Sequence, residues 1–170
     1  KWVGLEGTAI LATEKEALLR ERLAQPFLDK AKQFQQTMSI IPEAAVAVKS
    51  GASAMHDVSE GGIFGALWEL AESAGVGLEI DLKKIPIRQE TVEVCEFCHL
   101  NPYQLTSAGS VLIFTERGEE LVARYEELGI QATLLGRTTA DSARVILGGE
   151  EKRFLDRPAP DELLKIYDNN

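Results

Sequence analysis

A chain of 170 residues with 45% hydrophobic and 26% charged residues has the balance of an ordinary globular domain, long enough to enclose its own core. Eighteen basic against 27 acidic residues leave a net charge of -9, which disfavours nonspecific binding to nucleic acid or an anionic membrane but leaves room for small anions held by backbone N–H groups. Two cysteines are too few for a disulfide scaffold, no apolar run approaches the roughly 18 residues that span a bilayer, and no signal peptide is visible, so a cytoplasmic setting is expected.

The chain opens Lys1-Trp2-Val3, without an initiator methionine and already with strand character, which reads as a piece of a longer protein. Gly4-Leu5-Glu6-Gly7-Thr8 then reads as a turn between two short apolar runs. Thr13 is expected to cap a helix with Glu16 as its box partner, running to about residue 25 and resuming after Pro26 to about residue 36. Pro42 fits a first helical position, and Gly51 its left-handed stop. A short strand over 52–55 leads into Met55-His56-Asp57-Val58-Ser59-Glu60-Gly61-Gly62.

The run after that motif, from Ile63 to Gly75, is too apolar for a surface helix. Its polar positions Glu69, Glu72 and Ser73 form one narrow stripe, so it is expected to be a central helix. Residues 76–82 alternate as a half-buried strand. A helix follows over 89–98, broken by Asn101-Pro102, then a strand over 110–115 and a helix over 117–128 with Leu121, Tyr125 and Leu128 inward. Strands are expected over 131–138 and 143–147, with Gly148-Gly149 turning into a last strand over 151–155. A short helix over 161–167 closes the order. The expected class is α+β, layered, with a mixed β-sheet and helices packed on it. With no repeat or linker, one domain is expected over 1–170.

The central motif carries two compatible readings. In the plain one Asp57 caps the helix, Glu60 reaches back to it, and the glycines permit tight packing against the sheet. In the other, Gly61 and Gly62 expose N–H groups to an anion at the positive end of the helix dipole, with His56 and Ser59 as polar contacts. It is no P-loop, because the Gly-Lys-Ser/Thr ending is missing. Gly4 to Thr8 and Thr106-Ser107-Ala108-Gly109-Ser110 are two more small-residue turns, which converge with the first if all sit on one cleft rim.

Cys95-Glu96-Phe97-Cys98-His99 has the spacing of a c-type haem attachment. The segment reads as the end of an amphipathic helix in a chain without an export signal, so a buried Cys95 with Cys98 and His99 at the helix end is favoured. Zinc lacks a second ligand cluster, His56 being the other histidine. Glu69, Glu72, Glu79 and Asp81 read as a solvated face, and no metal is expected.

His56-Asp57-Val58-Ser59-Glu60-Gly61-Gly62 before an apolar helix, together with Ala74-Gly75-Val76-Gly77-Leu78-Glu79-Ile80 and Ile85-Pro86-Ile87-Arg88, resembles the C-terminal domain of the AIR synthase-related superfamily. Its members include PurM, PurL, SelD, ThiL and HypE, and the pattern is most similar to hydrogenase maturation factor HypE-like proteins. Asn101-Pro102-Tyr103, Ser107 to Ser110 and Gly136-Arg137 follow the same pattern.

The resemblance implies a PurM C-terminal domain-like fold with partly ferredoxin-like topology. It implies a longer protein whose N-terminal domain pairs into a homodimer and holds most of the ATP and Mg. This domain would close over a nucleotide and substrate cleft for phosphoryl activation of an amide or carbonyl oxygen. Carried over, His56, Asp57, Ser59, Gly61 and Gly62 form the cleft loop, with Gly4, Gly7 and Thr8 and then Ser107 and Gly109 as the other rims. No residue is assigned as a catalytic base, and the isolated domain is not expected to turn over. Partners would be its own N-terminal domain and a maturation protein. HypE proteins end in a cysteine, whereas this chain ends Ile166-Tyr167-Asp168-Asn169-Asn170. The alternative is therefore a non-catalytic, ligand-sensing or partner-binding HypE-like module.

Overall fold

The computed structural model describes residues 1–167. The first surprise is at the N-terminus, where helix α1 (Leu5–Glu14) replaces the expected turn and apolar runs. Short apolar runs do not distinguish strand from buried helix, and here packing decides. Leu5, Ala9, Leu11 and Ala12 are buried, and Gly4 enters the helix at φ 72°. Thr13 lies inside this helix and donates to the carbonyl of Ala9, so it caps nothing. Helices α2 (Glu16–Leu19) and α3 (Gln25–Gln33) follow, and a short 3-10 turn over Phe34–Thr37 ends the segment. Helix α4 (Ile41–Lys49) starts with Pro42 in its first turn, and Gly51 adopts φ 81° just beyond its end.

The expected alternation then holds: β1 (Ala54–Val58), α5 (Gly62–Ala74), β2 (Gly77–Asp81), α6 (Gln89–Cys98), β3 (Ser110–Phe114), α7 (Gly118–Glu127), β4 (Gly136–Thr139), β5 (Arg144–Gly148), β6 (Glu151–Phe154) and α8 (Leu164–Tyr167). The expected mixed sheet with helices packed on it is present too, and beside it lies a second, two-stranded sheet. β1 and β3 form this separate antiparallel ribbon, and the order β4-β2-β5-β6 forms the mixed sheet, in which only β2 and β5 run parallel. The strand expected over 131–138 pairs only from Gly136, opposite Ile80 of β2, and residues 131–135 lie outside any strand. The last hairpin turns through Gly149 and Glu150, since Gly148 still pairs with Glu151. Leu128 is 51% exposed, beyond the last turn of α7, whereas Leu121 and Tyr125 are buried as expected.

Helix α5 is the buried centre. Ile63, Phe64, Ala66, Leu67, Leu70 and Ala71 are buried, whereas Glu69, Glu72 and Ser73 are exposed as the one polar stripe. Both sheets contribute to its core, through Val58 and Leu112 on one side and Leu78, Ile80 and Ile146 on the other. Trp68 is half-buried under the Arg144 guanidinium, 4.7 Å from its ring centre, so it packs without entering the core. A second core joins α1, α2, α3 and α6 through Leu11, Leu19, Leu28, Val94, Cys95 and Leu105. Among the described residues no helix is long and apolar enough to cross a membrane.

The ends of α5 are set by glycines of unequal burden. Gly62 has φ 62°, and a Cβ there would lie 2.6 Å from the carbonyl oxygen of Tyr103 and 2.8 Å from that of Leu105. Gly75 has φ 66° with nothing near a Cβ. Gly62→Ala is expected to cost about 2–5 kcal/mol, from backbone strain and collision together. Gly75→Ala is expected to cost about 1–2 kcal/mol, from backbone strain alone. Urea unfolding midpoints of the two variants check this order.

Candidate functional site

Because α5 is buried, its first turn has to find hydrogen-bond acceptors inside the protein. Asp57 cannot serve, because it sits within β1 opposite Val111 with its side chain exposed. The N-cap is Gly61, in left-handed conformation, with no side-chain cap of its own, so the expected Asp57 and Glu60 box is absent. The Gly62 N–H donates to the carbonyl of Ser59 at 3.0 Å, and that of Phe64 to the carbonyl of Tyr103 at 3.1 Å. The Gly61 N–H donates to the Asp161 carboxylate at 2.7 Å, from a residue one hundred positions away. Asp161 is 4% exposed, and its other oxygen accepts from the Leu163 N–H at 2.9 Å. A carboxylate from the chain's own C-terminal segment thus occupies the anion position at the head of α5.

The three small-residue turns converge around that point. Ser107 joins them: its N–H donates to the Ser59 carbonyl at 3.3 Å, and its hydroxyl accepts from the Gly4 N–H at 2.6 Å. The Gly7 N–H donates to the Thr106 carbonyl at 3.0 Å. Thr8 donates its hydroxyl hydrogen toward the Gly4 carbonyl at 2.6 Å and lies 2.9 Å from the Thr91 hydroxyl. Glu6 closes the rim, accepting from the Thr106 hydroxyl at 2.6 Å and from the Ala108 N–H at 3.1 Å. Gly109 packs on the backbone of Thr37 and Met38, at the side of this network. Beside the head of α5 a small recess of about 60 Å³ opens, lined by Gly61, Phe64, Asn101, Arg153 and Arg157 among others.

His56 and Asp57 stand apart. Both lie on β1, His56 with Nδ1 2.5 Å from the Asp57 carbonyl oxygen and Nε2 3.4 Å from the Glu69 carboxylate. Among the described residues no hydrogen bond links either side chain to the turns. Sequence reasoning also missed Asp161, Glu162 and Glu6, and read Asn101 only as a helix break and part of the family pattern. Glu162, 5% exposed, accepts from the Asn101 N–H at 3.0 Å, so the C-terminal segment is tied to the loop after α6 as well. Nothing local in Pro158-Ala159-Pro160-Asp161 marks a partner at Gly61.

The cysteine motif resolves into the end of α6. His99 stops the helix in left-handed conformation at φ 56°, and the Leu100 N–H returns to the Cys95 carbonyl at 2.8 Å. Cys95 is 1% exposed, and burial, with smaller contributions from Cys98 and the Glu162 carboxylate, pushes its thiol from 9.0 up to about 12. Burial also raises the half-buried Cys98 thiol.

These features define an α+β domain organised around a buried helix headed by a glycine turn and rimmed by two further turns. Residues 3–148 match the AIR synthase related protein, C-terminal domain, and the chain belongs to that family. Carbamoyl dehydratase HypE of Rhodobacter capsulatus is 32% identical over 130 residues, covering 71% of this chain and 38% of that protein. Phosphoribosylformylglycinamidine synthase subunit PurL of Corynebacterium aurimucosum is 39% identical over 102 residues, covering 59% of this chain and 12% of that protein. The crystal structure of E. coli HypE superposes with a TM-score of 0.74 at 24% identity, covering 97% of this chain and 50% of that chain. AaThiL complexed with AMPPCP and TMP superposes with a TM-score of 0.63 at 20% identity, covering 91% of this chain and 49% of that chain. The fold is thus of the PurM C-terminal type, and the chain spans about half or less of the proteins it matches.

Two outcomes follow from the geometry. Asp161→Ala leaves the buried Gly61 N–H without its acceptor and is expected to cost about 1–3 kcal/mol in urea unfolding. Cys95 is expected to stay unreactive toward Ellman's reagent at pH 8 until the chain is unfolded. Its thiol is raised in the folded state, so the stability it contributes is full below the unfolded value near 9.0 and declines as pH rises toward about 12. Unfolding midpoints between pH 8 and 11 in the wild type and Cys95→Ala check the sign.

Proposed function

We propose that this chain is the C-terminal domain of an ATP-dependent, HypE-like enzyme, and that it closes over a nucleotide and substrate cleft for phosphoryl activation of an amide or carbonyl oxygen. The observation that carries this reading is the head of α5, where a backbone N–H freed from helix bonding holds a carboxylate at 2.7 Å. A phosphoryl oxygen would meet the same N–H and the same dipole by displacing the Asp161 carboxylate that sits there in this chain. Its surroundings supply the Ser107 and Gly4 rim, with Arg153 and Arg157 beside the recess. Relatives support the ligand class: HypE has been crystallised in complex with ATP, and AaThiL with AMPPCP and TMP.

In this reading the domain supplies positioning rather than proton transfer. Gly61, Gly62 and Ser59 form the anion turn, while Gly4, Gly7, Thr8, Ser107 and Gly109 hold the rims in register. His56 and Asp57 lie further out on β1 and serve as polar contacts on the approach. In the longer protein, ATP and Mg would be held mainly by the N-terminal domain. Its own N-terminal domain completes the cleft, a homodimer forms through that domain, and a maturation protein is the further partner, as HypE and HypF form a complex. The setting is cytoplasmic.

The second reading, a ligand-sensing or partner-binding module without turnover, is favoured by one observation. The C-terminal segment is docked, with Tyr167 bonded to Glu14 and lying under Lys15, 4.7 Å from its ring centre.

The test uses the full-length protein in calorimetry and in a phosphate-release assay with Mg-ATP. Saturable binding and slow release, both weakened about tenfold or more by Ser107→Ala, are expected, since removing one positioning hydrogen bond costs on the order of 1.4 kcal/mol. Binding without release selects the second reading. No binding at all overturns both.

A further inference from the structure

The recess beside the head of α5 is lined on one side by the body of the domain and on the other by the strap that follows β6. Phe64, Asn101 and Gln104 belong to the body, Arg153 to β6, and Asp156 and Arg157 to the strap. Residues 155–161 have no regular structure, and three bonds tie them and the next residue down. The Asp161 carboxylate accepts from the Gly61 N–H, the Glu162 N–H donates to the Gln104 carbonyl at 3.2 Å, and the Glu162 carboxylate accepts from the Asn101 N–H. Gly61, Asn101 and Gln104 therefore both hold the strap and line the recess.

What faces the recess is rich in donors. The Arg153 guanidinium lies 5.4 Å from the ring centre of Phe64, which fixes its charge at the wall. Among the described residues neither Arg153 nor Arg157 is ion-paired, in a chain of net charge -9. Asn101 donates from its side-chain amide to that of Gln104 at 2.8 Å, which leaves one hydrogen of Asn101 and the NH2 group of Gln104 for a further acceptor. Two guanidinium groups and two amides face one carboxylate, Asp156, since the Asp161 carboxylate is already taken up by the Gly61 and Leu163 N–H groups. The volume of about 60 Å³ takes roughly four water-sized oxygens, the number on one phosphate group.

We propose that this recess binds a phosphate-sized tetrahedral oxyanion, and that the bound anion clamps the strap against the head of α5. Arg157 reaches it from the strap, and Arg153, Asn101 and Gln104 reach it from the body. Guanidinium forks match the geometry of phosphate oxygens and stay charged at every working pH. The anion sits beside Asp161 and leaves it in place, unlike a phosphoryl oxygen on the Gly61 N–H. The two positions exclude one another, because displacing Asp161 loosens the strap that carries Arg157. Phosphate in the recess thus opposes nucleotide at the head of α5. That coupling rests on the proposed function, whereas the recess site does not. Residues 153–157 also lie beyond the 3–148 that match the family.

The test uses the full-length protein, with sodium phosphate as probe and sodium chloride of matched ionic strength as control. Calorimetry is expected to show saturable phosphate binding. Hydrogen–deuterium exchange of the Glu162 and Leu163 amides is expected to slow about tenfold at phosphate about ten times its Kd, because only the docked strap completes the site. Arg153→Gln and Arg157→Gln should each weaken phosphate at least about tenfold by removing a charge-assisted donor. Arg137→Gln removes an exposed arginine paired with Glu79 and should change neither readout. Asp161→Ala should weaken phosphate, because it unties the strap. Tighter phosphate in Asp161→Ala places the anion on the Gly61 N–H instead and overturns the proposal. So do an effect matched by chloride, full binding in both arginine variants, or binding that leaves the Glu162 and Leu163 amides unchanged. Mg-ATP should bind more weakly in phosphate than in chloride. A protein that binds phosphate in this way but no Mg-ATP at all keeps the recess site and loses the proposed function.

Discussion

Burying a helix on nearly all sides forces the protein to satisfy that helix's first turn from within. In α5 this constraint organises distant parts of the chain. The Ser59 carbonyl takes the Gly62 N–H, the Tyr103 carbonyl takes that of Phe64, and Asp161 takes that of Gly61. An unpaired buried N–H costs roughly 1–3 kcal/mol, so each of these acceptors is held in place by more than packing. The loop after α6 and the C-terminal segment are drawn to the head of α5 for the same reason. Gly62 follows as a requirement, because the Tyr103 and Leu105 carbonyls come so near that no side chain fits between.

The same point is the one proposed for an anionic ligand. A turn that brings three loops together around an oriented N–H is rigid, polar and rimmed by small residues. A charged oxygen is what such a point holds well, and in this chain one already sits there. The carboxylate of Asp161 is both structural cap and chemical stand-in for an anionic ligand.

The two readings weighed for the central motif divide differently from expectation. Capping was assigned to Asp57 and Glu60 by spacing, but β1 extends through Val58 and carries Asp57 out to solvent. Strand pairing with β3 outweighs a cap worth about 1 kcal/mol, and the cap passes to a residue from the far end of the chain. The cysteine motif behaves in the opposite way. Its helical spacing was legible, and the structure places Cys95 in the second core with its thiol held protonated by burial.

The sequence by itself determined the alternation of helices and strands from β1 onward, the central helix with its single polar stripe, the bounds of α6, and the family. These depend on periodicity and on glycines at fixed offsets, which are local signals. Tertiary structure decided what local signals cannot carry. Leu5 to Ala12 became helix rather than paired runs because Leu105 and the α6 core lie over it. The strand expected over 131–138 paired only from Gly136, because pairing needs a partner at the right distance. Asp161 found Gly61 across one hundred residues, since only a folded chain can bring a carboxylate to a helix end so far away in sequence.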